Sequence, residues 1–471
     1  MTRLGPAAAL TVLTSILAGC ASVPRDSGFA DVRRKVIEET QQPVEWDPGR
    51  PVEPPDDAAV SAMLQEELTA ERAVQIAFAH NRDLQATLEG LGLARADLIA
   101  ASTIRNPILD GEIRFPASPV RPFELVLSQT LLDILQLGKR KKLGREQFEA
   151  ARLHVTAAVI NFAGQVRLDY YDLLAARRIL ASQETILKGQ EAATELVVRQ
   201  HSAGNVSDLD LENEQSRYEQ VKLDSAAAQL EELQASEHLI ADLGLVQRAD
   251  LRLPDDFPPP PVSDMTTEEI ERQVLARRLD IQMARREIEA ARSALGLAKT
   301  AAIDDLAVGA HHEREPEGTK ATGPAASIPI PIFDRGAARK ARARAMLRQA
   351  QQRLAAMTVT ARSEARAAQE RLLEARSRVA YLREVVIPRR ERILNLTQLE
   401  YNAMLRGVFQ LIEARQNLAR AQREEVMGTR DYWVARTELE TALTGVARFS
   451  VHPDMPTTAG AQGARPGRWP R

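Results

Sequence analysis

Few side chains in this 471-residue chain have the type and spacing for covalent or metal chemistry. Cys20 is the only cysteine and closes the stretch LTSILAGC, so it cannot form an intramolecular disulfide or a cysteine-based zinc site. His311 and His312 suggest a metal pair, but neighbours in a strand point to opposite faces, and solvated positions suit them better. No glycine-rich phosphate loop occurs. The many Asp and Glu residues lie among Arg residues at helical spacing, where they pair as surface charges. Neither an enzyme nor a metal or cofactor is expected. The net charge of −3 lacks the basic excess that a nucleic-acid partner would require.

The surroundings of Cys20 give its thiol a use. Arg3, the apolar run from Leu4 to Leu17 and the small residues before Cys20 read as a signal segment, 1–19; the run is too short to cross a bilayer as a mature helix. Leu17-Ala18-Gly19-Cys20 resembles the bacterial lipobox, which implies a diacylated Cys20 as lipid attachment point and first mature residue, with two chains giving stable anchoring. Ala21 in the next position implies sorting to the outer membrane. Residues 20–68, with QQPVEWDPGRPVEPPDD, read as an extended N-terminal arm.

From Thr69, a candidate N-cap, the pattern becomes helical. Aromatics are only 4% of the chain, and the dominance of Ala, Arg, Glu, Gln and Leu favours long helices over a globular core. Val159, Val166, Leu173, Leu180 and Leu187 form a seven-residue ladder. Ala361/Ala365, Ala368/Leu372, Ala375/Val379 and Leu382/Val386 form another with smaller residues. Such seams pack helices along their whole length, and a helix of about sixty residues is roughly 90 Å long. Pro388 should kink the second ladder. The chain also repeats itself: HNRDLQATLEGLGLARADLIAAS (80–102) answers to RRLDIQMARREIEAARSALGLAK (277–299), and LDLENEQSRYEQ to FQLIEARQNLAR. The proline linker 254–264 separates a first repeat, 69–253, from a second, 265–445; the tail 446–471 reads as disordered.

Each repeat is interrupted by alternating residues. In ILDGEIRF, Leu109, Gly111, Ile113 and Phe115 alternate with Asp110, Glu112 and Arg114, the period of a strand with one apolar face. PFELVLSQT, with Leu125 and Leu127, and DDLAVGAHH alternate more weakly, and Ile328, Ile330 and Ile332 alternate with prolines. Turns are expected at 116–122 and 314–323, giving about four strands. Four strands cannot cross lipid alone, because their edges would leave backbone groups unpaired. If they span a membrane, copies must pool them, with Leu109, Ile113, Phe115, Leu125 and Leu127 facing lipid and the charges facing a lumen.

The duplicated helix–hairpin–helix order, the lipobox, RNP (105–107), SIPIPIFDRG (327–336) and YNAMLRGVFQLIEARQNL (401–418) together resemble the TolC-type outer-membrane efflux factors, lipoprotein branch, over residues 69–445. The resemblance implies a mainly α fold with a small β part. Three protomers would share a 12-stranded β-barrel, four strands each, continued by a coiled-coil helical barrel. It further implies a passive exit duct in the outer membrane, a homotrimer docked to a periplasmic adaptor and an inner-membrane pump. The turns SAGNVSDLDLEN and EYNAMLRGVF would form the periplasmic mouth. Tyr401 and Arg406 fall at the family's gate tyrosine and arginine, and Asp210 at their acidic partner. Glu413 matches a pore-lining acid, whereas Gln410 stands where some members carry aspartate. A lipid-tethered periplasmic coiled-coil scaffold without a pore is the rival reading; only the hairpins separate the two.

Overall fold

The computed structural model describes residues 26–46, 64–115, 121–246, 250–261, 265–300 and 306–445. Cys20, the signal segment and the tail lie outside them. The residues anticipated as an extended arm include a helix, α1 (Phe29–Thr40), which buries Phe29, Val32, Val36 and Thr40. That spacing is helical, and the downstream prolines obscured it. Helix α1 is fastened by charge: Arg152 pairs with Asp31, and Arg277 with buried Glu39.

Both halves then run through the same order. The first comprises α2 (Ala70–His80), α3 (Arg82–Ser102), β1 (Ile108–Ile113), β2 (Phe123–Thr130), α4 (Leu131–Ser202) and α5 (Asp208–Asp242). The second comprises α6 (Thr267–Arg277), α7 (Leu279–Thr300), β3 (Ala307–Arg314), β4 (Lys320–Ser327), α8 (Ala337–Tyr381), a π turn (Leu382–Val386), α9 (Ile387–Asn402) and α10 (Val408–Thr444). Thr69 caps α2 by accepting from the Arg72 N–H at 3.2 Å. Asn81 caps α3 and donates to the Asp242 carbonyl at 3.0 Å, locking the α2–α3 corner onto the end of α5. Gly244 is required at this corner: its φ is +72°, and a Cβ there would fall 2.6 Å from the His80 carbonyl oxygen.

 A backbone at +72° is in the left-handed region, which glycine enters without steric cost.

The seven-residue ladders are the seams. Val159, Val166 and Leu173 are fully buried, Leu180 and Leu187 partly so. In α8, Ala361, Ala365, Ala368, Leu372, Ala375 and Val379 are buried against α6 and α10. Pro388 does not end its helix. It lacks the N–H that an α-helical ladder would use, and the turn before it widens instead, with the Ile387 N–H reaching the Leu382 carbonyl. Among the described residues, no helix is long and apolar enough to cross a membrane.

The four strands form one antiparallel sheet in the order β1-β2-β3-β4, so the central β2–β3 pairing joins the two halves. The fourth strand differs from expectation. Lys320–Ser327 pairs with β3, while Ile328, Ile330 and Ile332 follow it as exposed residues outside the sheet. Alternate prolines remove the donors that a ladder requires there, whereas Pro324 within β4 removes a single one.

Candidate functional site

Register sorts the side chains of the sheet onto two faces. Leu109 lies opposite Leu127, Gly111 opposite Leu125 and Ile113 opposite Phe123, and cross-strand partners share a face. Leu109, Ile113, Leu125 and Leu127 therefore form one apolar surface, and all are exposed in the protomer, as is Phe115 just beyond β1. Val308, Ala310, Pro324 and Ala326 continue this face across β3 and β4. The other face carries Asp110, Glu112, Glu124, His311 and Glu313. Gly309 lets β3 come close to β2, since a Cβ there would meet the Leu127 carbonyl oxygen at 2.2 Å. His311 and His312 take opposite faces. His311 is 3.2 Å from Glu124, and His312 Nδ1 is 2.6 Å from the Thr322 hydroxyl. No group of three or more metal-ligating side chains occurs among the described residues.

A charged collar joins this sheet to the helices. Arg105 of the RNP stretch reaches Asp133, at the start of α4, with Nε at 2.5 Å and Nη2 at 2.9 Å; Arg140 adds a contact at 3.1 Å. The Arg105 hydrogen bonds hold the Asp133 carboxyl below the usual carboxylate range. Gln129 also donates to the Arg105 carbonyl at 3.2 Å. The collar residues were legible only as a motif, because nothing in their spacing announces that Arg105 and Asp133 meet.

At the far end of the helices, both turns close in the same way. The Asn205 N–H bonds the Gln200 carbonyl, and the Leu405 N–H bonds the Glu400 carbonyl, each at 2.9 Å. Gly204 and Met404 occupy the same left-handed position, with φ of 76° and 62°. Asp210 accepts from the Ser207 hydroxyl at 2.7 Å, and Arg406 donates to Glu400 at 2.8 Å. Within the protomer, these hydrogen bonds do not bring Asp210, Tyr401 and Arg406 together. Tyr401 is half-buried at the end of α9, its carbonyl accepting from Met404, and Gln410 and Glu413 are exposed on the first turns of α10.

The structure adds a polar chain that sequence reasoning did not find. Gln416 donates to Gln190 at 3.2 Å, Gln190 donates to Glu214 at 2.5 Å, and Arg217 donates to Glu214 at 3.0 Å. The Glu214 side chain is fully buried, and the Arg217 guanidinium lies 5.8 Å from the Phe409 ring centre. Three helices, α4, α5 and α10, are thus tied together near the tips. In sequence, Glu214 looks like one more surface acid in an Arg-rich helix.

Comparison with known proteins fits this geometry. The family model described as outer membrane efflux protein matches residues 73–245 and 271–445. A search of curated proteins finds no significant match. Among solved structures, a membrane protein from Pseudomonas aeruginosa is 21% identical with a TM-score of 0.67, covering 79% of this chain and 93% of its own. The Campylobacter jejuni CmeC outer membrane channel is 18% identical with a TM-score of 0.68, over 79% of this chain and 85% of its own. The open state of the Neisseria gonorrhoeae MtrE outer membrane channel is 16% identical with a TM-score of 0.66, over 80% and 89%. Identities this low speak to the fold alone, which is TolC-like. The family match spans most of the chain in two consecutive blocks, and the chain belongs to the outer membrane efflux protein family.

Proposed function

We propose that three copies of this chain form a passive exit duct across the outer membrane and periplasm, fed by an inner-membrane pump through a periplasmic adaptor. The observation that carries this reading is the sheet: it has one exposed apolar face, one acidic face and two open edges, β1 and β4. Open edges are untenable in hydrocarbon. Pairing β4 of one copy with β1 of the next closes twelve strands, with the apolar face toward lipid and the acids toward water. Leu109, Ile113, Phe115, Leu125 and Leu127 are the lipid-facing residues of this barrel. Cys20 adds a diacyl anchor on the periplasmic side.

The helix tips form the mouth and the docking surface for the adaptor, where Met404 and Leu405 are among the most exposed apolar residues. In the assembled trimer, Asp210, Tyr401 and Arg406 latch neighbouring coiled coils, while Gln410 and Glu413 line the opening. A carboxylate shared by a phenol and a guanidinium would be worth a few kcal/mol at most, weak enough for adaptor binding to release. Fractionation tests the reading: the chain should partition with outer membranes as an SDS-resistant trimer. Extraction by mild detergent as a monomeric rod would contradict it.

A further inference from the structure

The sheet end farthest from the helices carries opposite charges on its two faces. Register places Ile113, Phe123, Arg314 and Lys320 in one cross-strand row on the apolar face. The adjacent row of that face holds Leu125, His312 and Thr322, with the Phe123 and His312 rings 5.6 Å apart. Beyond the strands, Arg121 lies over Phe115 at 5.6 Å. On the opposite face, the corresponding row is acidic, Glu112, Glu124 and Glu313, and Arg114 is neutralised there by Glu112 at 2.9 Å. Among the described residues, Arg121, Arg314 and Lys320 make no ion pair with a carboxylate.

We infer that this rim, Arg121, Arg314 and Lys320 backed by Phe115 and Phe123, binds the phosphate-bearing headgroups of lipids in the outer leaflet. The inference rests on the barrel reading, which turns this face toward lipid. Solvation alone would not separate acids from bases by face. Cations and aromatic rings that end an apolar band stand at headgroup depth, and a guanidinium fork matches a phosphate. Anionic headgroups complement the charge of the row. A neutral headgroup would leave it unpaired.

The experiment uses the full chain as purified from membranes. It is reconstituted into phosphatidylcholine vesicles doped with lipid A carrying both phosphates or with dephosphorylated lipid A, and the doped lipid retained after detergent re-extraction is counted. The wild type should retain the phosphorylated form preferentially, and less of it as salt rises. The pair R314Q/K320Q should lower this retention by roughly 25-fold, about fivefold per cation. The lumenal pair E112Q/E313Q should leave it unchanged. Equal retention of both lipids by the wild type, or wild-type retention by R314Q/K320Q, overturns the headgroup rim while leaving the barrel intact. A chain that enters neither vesicle overturns the barrel reading with it.

Discussion

The two long helices that leave the sheet occupy the same place in the two halves and are held differently. Helix α4 runs 72 residues without interruption, and Gln183, Gln190 and Val197 keep it buried close to its tip. Its counterpart is divided into α8, the π turn and α9, and α9 contributes no buried residue to the protomer. The seam residues differ in the same sense: Val159, Val166 and Leu173 in α4, but Ala361, Ala365 and Ala368 in α8. One arm is packed to its end. The other is packed only as far as the π turn, where Arg383 reaches Glu425 at 2.5 Å, and beyond it the polar chain through Gln416 holds α10. We propose that α9, which buries nothing in the protomer, is the element that moves when the mouth opens, with the π turn as its pivot.

Substitutions can break or sharpen this contrast. The largest effect should come from Leu173→Ala in the packed arm, a loss of about 3 kcal/mol read as a lower unfolding temperature of the assembly. The second ladder offers side chains of equal size only at Leu372 and Leu382. Glu214→Ala should cost about 2 kcal/mol by stranding the amide of Gln190, and it should also raise channel conductance, whereas Glu214→Gln keeps an oxygen for Gln190 and should stay near wild type. Equal conductance of all three proteins would detach the polar chain from the gate.

How much of this was readable beforehand depended on whether a signal is local. The ladders, the Thr69 cap and the strand Ile108–Ile113 follow from side-chain period, which each segment carries in itself. Strand β4 was misplaced because KATGPAAS has only small or polar side chains and shows no alternation, while the neighbouring isoleucines imitate it. Helix α1 was hidden by a proline-rich context. Glu214 and the Arg105–Asp133 collar depend on contacts between distant segments, and no period reports those.

Smaller effects probe the corner that holds the packed arm. Burial, and then Asp169 beside it, push the Asp242 carboxyl up to about 7. A raised carboxyl favours the neutral form in the fold, so this group weakens folding as pH climbs from about 4 to 7 and has no further effect above that. Asp242→Asn should flatten the pH dependence of the unfolding temperature over that interval; an unchanged slope would assign it to other groups. The smallest effect should come from Met404→Gly, which relieves a left-handed methionine and should stabilise the second tip by about 1 kcal/mol. The same position in the first tip is already glycine.

The central claim is that separate copies pool their hairpins to enclose a pore. Single-channel recording in planar bilayers tests it most directly, comparing the wild type with Glu124→Gln on the acidic face and Leu127→Arg on the apolar face. The account predicts discrete conductance steps for the wild type and steps of altered ion selectivity for Glu124→Gln. Leu127→Arg should give few or no insertions, since an arginine near the bilayer midplane costs about 2–4 kcal/mol in each copy. A silent wild type, or a Leu127→Arg variant that inserts and conducts as well as the parent, would contradict it.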